Sequence, residues 1–369
     1  MRIGIDVHAV ERDGSGNCTY MRGLVQALAG VDHTNEYTLY GTDLSHPFYA
    51  RLRALKRFEL RALWPRWAPL RIPLGLAGRS ILDGLDLLHV QYGGPFWLRG
   101  RLVSTIHDVG FIEVSDTFPA FERLWMPALI RATARRAALV LTGSEFARDQ
   151  VVGWAGLRRE RVRVTYNGIG PEFVPVPAGP ARDAVLRRYG LRAPFVLSVG
   201  RLNARKNLRR LIEAFERLVV PGLQLAIGGP AHYGSDALRR RVEESPARAA
   251  IRCIGFIADP DLPAVMSGAA VFVYPSLFEG FGLPPLEAAA CGTPVVASNT
   301  SALPEILGDA ALLVDPHSAE GLASALRRAL TDESLRAELR HRGIARAAHF
   351  SWEAVARRCV AAYAQAVTS

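Results

Sequence analysis

Glu279 and Glu287 stand eight residues apart in EGFGLPPLEAAACGTPV, on either side of a turn marked by Gly280, Gly282, Pro284 and Pro285. Glycine lets backbone N–H groups approach a ligand with no Cβ in the way. An ionised carboxylate accepts hydrogen bonds, and vicinal hydroxyls supply them. Two such acceptors around a glycine turn suit a hydroxyl-rich ligand. For Glu287 a second reading stays open, because a carboxylate in the first turn of a helix opened by Pro284 and Pro285 also eases the helix dipole. Glu279 has less excuse, since nothing about a strand end requires an acid.

Upstream, FVLSVGRLNARKN passes from an apolar run through a glycine into a basic loop, then into a helix beginning near Asn207. Arg201 and Lys206 occupy that loop. Cations and a helix N-terminus there favour the same anion, and a diphosphate fits both. Two solvated surface cations are the plain alternative, and the strand–glycine–loop–helix context argues against it. Asp259 and Asp261 form a D-x-D string that resembles a metal-binding pair. They precede LPAVMSGAA, so the N-cap of that helix is the better reading and no metal is expected. Ser144 in TGSEFARDQV likewise reads as an N-cap rather than a nucleophile.

These residues need rigid elements behind them. In the first half the β-rich runs are IGIDV, EYTLYG, LDLLHVQY, LVSTIHD, ALVLTGS and VRVTYNG. In the second they are FVLSVG, LQLAIGG, IRCIGF, AVFVYPS, TPVVAS and ALLVDP. Near-continuous apolar strands alternating with helix-length segments predict parallel sheets covered on both faces. NLRRLIEAFERLV sets Leu208, Leu211, Ile212 and Phe215 on one helical face. The four prolines of NGIGPEFVPVPAGPARD read as a semi-rigid linker, which puts a domain boundary near residue 170. The expected fold is therefore α/β: two Rossmann-like doubly wound domains, 1–170 and 171–350, facing a central cleft. A final helix, about 351–369 with Ser351 as its N-cap, is expected to cross back to the first domain.

Composition narrows the function. The chain has 369 residues, a formal charge of +10 and 49% hydrophobic residues, which suits two well-filled cores and an anionic partner. Nucleic acid, an acidic membrane surface and a phosphorylated small molecule all meet that charge. The four cysteines (Cys18, Cys253, Cys291, Cys359) are far apart and form no C-x-x-C pair, so a reducing cytoplasm fits best. Asp6 and Glu11 interrupt the N-terminus where a signal peptide needs an apolar core. Residues 51–79 hold eight cations and one acid around Trp64 and Trp67. That segment reads either as a surface for anionic lipid or a lipid-diphosphate acceptor, or as a solvated amphipathic helix.

GRLNARKN, the stretch GFIADPDLPAVMSGAAVFVYPSLFEGFGLPPLEAAACGTPVVAS, and ALPEILGDAALLVDP together resemble glycosyltransferase family 4, the retaining enzymes of GT-B fold. The likeness is greatest to the mannosyltransferase B-like branch. It implies that Arg201 and Lys206 bind a donor diphosphate and that Glu279 lies near the donor hexose. Gly280, Phe281, Gly282 and Leu283 would then line sugar and phosphate, with Glu287 on the ribose hydroxyls. By the same resemblance Phe256 and Ile257 lie near the base, and Gly14 and Gly16 of RDGSGNCTY form a loop over the phosphates. His107 of STIHDVGF would sit near the reacting sugar, against the plain reading of a capped strand-end histidine.

The expectation is thus a metal- and cofactor-independent hexosyltransferase that moves mannose from GDP-mannose to a bacterial surface glycan or lipid-linked oligosaccharide. It would act in the cytoplasm, peripherally on an anionic inner-membrane surface. The residues alone do not separate GDP-mannose from UDP-glucose. A sugar-nucleotide epimerase or a phosphorylase shares the architecture, though a phosphorylase needs a much longer chain. A nucleic-acid-binding protein would explain the charge, yet no helix-turn-helix, zinc or RNA-binding signature is present, and no nucleic-acid partner is expected.

Overall fold

The apolar runs become strands, and every strand pair is parallel. The structure, a computed structural model, describes residues 1–11, 16–67, 70–113, 120–218, 220–230 and 235–368. Gly14 lies outside them. The chain divides into two compact units: one holds residues 1–112, 120–168 and 351–369, and the other holds Ile169–Phe350.

The first unit contains seven strands: β1 (Arg2–Asp6), β2 (Glu36–Gly41), β3 (Phe58–Ala62), β4 (Leu87–Gln91), β5 (Arg101–Thr105), β6 (Leu139–Thr142) and β7 (Val162–Val164), in the order β3-β2-β1-β4-β5-β6-β7. The chain builds outward from β1 in one direction and then returns to its other side, so the order reverses between β1 and β4. There Ile3 pairs with Tyr37 on one flank and Leu87 on the other. The second unit contains β8 (Phe195–Val199), β9 (Gln224–Gly228), β10 (Ile251–Gly255), β11 (Val271–Tyr274), β12 (Val295–Ser298) and β13 (Ala311–Val314), in the order β10-β9-β8-β11-β12-β13. Its reversal lies between β8 and β11. Loops leaving the carboxyl ends of strands at such a reversal diverge and leave a crevice for a ligand.

β3 answers to none of the expected runs. It lies inside the basic segment 51–79, at the sheet edge, where Glu59 is exposed and only Phe58 is fully buried. Charged residues on an edge strand discourage pairing with another chain, and they also hide the strand's periodicity. The segment is not one amphipathic helix. It continues through a wide helical turn (Arg71–Leu76) into a short helix (Ala77–Leu82). Trp64 and Trp67 remain 83% and 65% exposed.

The cores follow from the helical spacing. Leu208, Leu211, Ile212 and Phe215 are all buried, packing on β8, β9 and β11 with Leu322 and Leu326 of a later helix. In the first unit, helix Gly16–Val31 and the final helix Trp352–Thr368 pack together over the sheet. Ser351 Oγ accepts from Ala354 N at 3.2 Å, so the expected cap forms. Their approach is close: a Cβ on Gly23 would lie 2.1 Å from the Trp352 ring, whereas one on Gly30 in the same helix would meet nothing within 4 Å. Gly23→Ala should therefore lower unfolding free energy by about 1–3 kcal/mol through overpacking. Gly30→Ala, which relieves only a helical glycine, should raise it by about 0.5–1 kcal/mol. Urea melts of the two variants check the pair, and equal effects would disprove the packing account.

Candidate functional site

Two loops meet at the strand-order reversal of the second unit. The first leaves β8 through Gly200, whose φ of +158° is a glycine conformation, and continues through a tight turn at Ala204–Lys206. Asn207 closes that turn with φ +55° and donates from Nδ2 to the carbonyls of Pro275 (3.1 Å) and Pro316 (2.7 Å). The second loop leaves β11 and carries Ser276 to Gly282. Leu277 N donates to Arg205 O at 2.9 Å, so the loops are stitched backbone to backbone.

Glu279 is the hub of this junction. Its Oε1 accepts from Lys206 Nζ at 2.6 Å and from Ser276 Oγ at 2.5 Å, and its Oε2 pairs with an Arg205 guanidinium nitrogen at 3.0 Å. Lys206 is itself buried, donates to the Tyr274 hydroxyl and lies 4.6 Å from that ring's centroid. Burial alone would push the Glu279 carboxyl up, but Arg205 and Lys206 outweigh it and hold the group at about 2. Of the two cations expected from sequence, the structure brings Lys206 onto Glu279 and leaves Arg201 exposed at the start of the loop. Arg205 was missed. Its signal was only its place next to Lys206, and which of two neighbouring cations turns inward is set by the turn itself.

Glu287 shows the opposite state a short distance along the chain. Gly282, with φ +100°, precedes helix Leu283–Ala290, and a Cβ there would lie 2.5 Å from Leu303. Glu287 falls at the fifth residue of that helix, beyond the first turn. This corrects the dipole reading, because the macrodipole's effect fades past the first turn. The side chain is 7% exposed, and among the described residues no cation pairs with it. Burial, then the neighbouring charges of Glu172 and Asp259, push its carboxyl up to about 8.

The flanking residues divide. Phe281 is buried edge-on against Phe350 at 5.6 Å. Phe256 is half exposed, while Ile257 is buried and packs against Gly228. Asp261 corrects the capping expectation. It sits at the helix start but caps no backbone N–H; its carboxylate bonds Arg188 (2.8 Å) and the Tyr189 hydroxyl (2.9 Å). Ser144 does cap its helix, accepting from Ala147 N at 3.0 Å.

In the first unit, His107 follows β5 and its Nε2 lies 2.7 Å from Gln91 Oε1. Burial lowers the imidazole to about 4, so the ring is neutral. Asp108 does not touch that ring; it accepts from Gly110 N at 2.9 Å. Gly16 begins its helix, and a Cβ on it would meet nothing within 4 Å. Neither packing nor a left-handed φ therefore requires glycine at this position.

The two carboxyls should respond oppositely to neutralisation. Glu279 titrates below its ordinary 4.5, so its contribution is present above that value and is lost as pH falls toward about 2. Glu279→Gln removes the anion paired with Lys206 and Arg205 and should cost about 3–5 kcal/mol at neutral pH. Glu287 ionises first in the unfolded chain, so stability falls as pH rises from 4.5 to about 8. Glu287→Gln removes that loss: its advantage over wild type should grow through this window and level off above it. Denaturant titrations from pH 5 to 9 would test both. A flat difference for Glu287→Gln would remove the buried-acid assignment.

Residues 188–347 match the family model described as Glycosyl transferases group 1, and residues 15–173 match Glycosyltransferase Family 4. O-antigen chain mannosyltransferase B of Escherichia coli is 33% identical over 283 residues, covering 74% of each chain. MMP alpha-(1->4)-mannosyltransferase of Mycolicibacterium hassiacum is 27% identical over 415 residues, covering 100% of this chain and 98% of the other. Among solved structures, sucrose-phosphate synthase from Thermosynechococcus elongatus superposes with a TM-score of 0.78 at 25% identity. That match covers 99% of this chain and 98% of the other.

Proposed function

The chain belongs to the glycosyltransferases of family 4, and from that membership we propose that it is a retaining mannosyltransferase. It moves mannose from GDP-mannose onto a bacterial surface glycan or lipid-linked oligosaccharide. Its paired Rossmann-like sheets are the GT-B fold. Two of the relatives are mannosyltransferases, which supports the sugar. The observation that carries the reading is the opposed state of two acids at one strand-order reversal, Glu279 ionised among cations and Glu287 buried without one.

Each acid has a different task. Lys206 and Arg205 flank Glu279, and Arg201 stands on the same loop, so three cations gather where the diphosphate is proposed to lie. Glu279 orients Lys206 and faces the hexose. Glu287 accepts from the two ribose hydroxyls, which replace the partners the protein withholds. The acceptor oxygen bonds to the anomeric carbon on the face from which the diphosphate departs. The sugar–phosphate C–O bond breaks, and a departing phosphate oxygen takes the hydroxyl proton. Catalysis consists of stabilising negative charge on the leaving group and orienting the acceptor. The cations do the work a metal would otherwise do, so no divalent ion is needed.

The acceptor's lipid accounts for the basic first unit. Trp64, Trp67, Leu70 and Leu74 are exposed beside Arg61 and Arg66, the pairing of apolar tips and cations that suits an anionic bilayer surface. Among the described residues no helix is long and apolar enough to cross a membrane. On the proposed reading these exposed residues, rather than a spanning helix, hold the enzyme peripherally on the cytoplasmic face of the inner membrane.

A thermal-shift series over GDP- and UDP-sugars tests the donor, with GDP-mannose expected to give the largest shift. Glu287→Ala should weaken it by about 1.5–3 kcal/mol; unchanged affinity would remove the ribose assignment. Because Glu287 must ionise to accept from both hydroxyls, donor binding at pH 7 should release about one proton, read by calorimetry in buffers of different ionisation enthalpy. Turnover should survive excess EDTA and fall roughly 10²–10³-fold in Lys206→Ala. Rescue of EDTA-treated enzyme by manganese would restore a metal mechanism.

A further inference from the structure

The amino ends of three strands in the first unit surround a hollow that glycosyl transfer leaves unused. Arg101 opens β5, Ala137 and Ala138 lead into β6, and Arg158, Glu160 and Arg161 lead into β7. With Arg136 and Gln365 of the final helix, these residues line a space of about 460 Å³. It lies at the opposite edge of the sheet from His107 and Ser144, which follow the carboxyl ends of β5 and β6.

The charge around it is one-sided. Four guanidinium groups line the hollow, and Glu160 is the one acid there among the described residues. Glu160 forms no ion pair with any of the four. Two of the cations are fixed by backbone carbonyls. Arg136 Nη1 donates to Pro95 O at 2.5 Å, and Arg161 Nη2 donates to Arg135 O at 2.9 Å and to Ala137 O. A carbonyl holds a guanidinium still without cancelling its charge, and each guanidinium has five N–H groups to give. Arg101 and Arg158 are exposed, and among the described residues the side chain of neither makes a hydrogen bond or an ion pair. Cations gathered in this way repel one another until an anion joins them.

A guanidinium fork matches two phosphate oxygens, and a phosphate dianion offers more charge and more acceptors than a carboxylate. We propose that this hollow is a second anion site, which takes the phosphate of a phosphate ester. Arg136 and Arg161 are its fixed half, and Arg101 and Arg158 turn in on the ligand. The site owes nothing to the donor or the acceptor sugar, so it stands or falls apart from glycosyl transfer. Occupancy has a mechanical consequence. Gln365 Oε1 accepts from Arg163 Nε of β7 at 3.2 Å, so the end of the final helix forms one wall of the hollow. A bound phosphate ties that wall to the starts of β5 and β7.

Hydrogen exchange of the full-length protein tests the site, with inorganic phosphate as the probe against chloride of equal ionic strength. Phosphate should slow exchange at residues 158–163 and 362–368 roughly 3- to 10-fold, the factor that ligand at about two to nine times its Kd supplies. The Arg101→Gln/Arg158→Gln double variant should lose this protection. Lys206→Ala should keep it, which separates the hollow from any phosphate held by the loop after β8. Protection that persists in the double variant, that vanishes in Lys206→Ala, or that chloride gives equally overturns the proposal. Faster exchange in phosphate overturns it too: the arginines would then serve the dipole at the carboxyl end of the final helix, and the anion would compete for them. Once phosphate protection is seen, phosphatidylglycerol vesicles separate the two sources of the ester. Protection of the same segments by vesicles, lost in the double variant, marks a lipid headgroup, and protection by free phosphate alone marks a soluble ester.

Discussion

The carboxylate of Glu279 is bonded from both sides of a reversal in strand order, by Lys206 and Arg205 from the loop after β8 and by Ser276 from the loop after β11. Parallel strands give no reason for those two loops to stay together once they leave the sheet. The ion pair supplies that reason, and backbone bonds such as Leu277 N to Arg205 O follow the same seam. A buried lysine with no partner would lose its proton or pull in water. Here the Glu279 carboxylate sits 2.6 Å from the buried Lys206 ammonium and balances its charge.

Glu279 and Glu287 belong to one short stretch yet hold opposite states, about 2 and about 8. Burial acts on both in the same direction; Arg205, Lys206 and Ser276 then lower Glu279, while the charges of Glu172 and Asp259 raise Glu287 further. The junction thus holds one carboxylate among cations and another that no cation among the described residues pairs with. A buried acid without a partner lowers stability, and such a residue is understood better by what it binds than by what it holds together.

Much of the fold was legible in the sequence, because buried parallel strands are apolar throughout and announce themselves. The exception, β3, lies at an edge, where Glu59 and Arg61 face outward and erase the pattern. The site was legible in its residue types and less so in its geometry. The eight-residue spacing of Glu279 and Glu287 stands out on inspection. That Arg205 pairs with Glu279, or that Asp261 is taken by Arg188 and Tyr189, depends on contacts distant in sequence. Glu287 was misplaced by part of a turn because the helix begins at Leu283, and one residue decides whether a carboxylate senses the dipole.

The final helix adds a constraint in time. The second unit is inserted into the first: the chain leaves at Gly168 and returns at Ser351, with Ile169 N bonded to Phe350 O at 2.9 Å where the two ends meet. Trp352, Val355, Cys359 and Tyr363 are buried in the first unit's core, and Tyr363 is the hydrogen-bond partner of buried His89. On a ribosome that core stays open, its histidine lacking this partner, until the helix Trp352–Thr368 has emerged. The usual order, in which N-terminal domains finish first, is inverted here. The inserted unit can close on itself while the one that began synthesis waits, and a chain truncated by even one helix would expose the apolar face of Gly16–Val31.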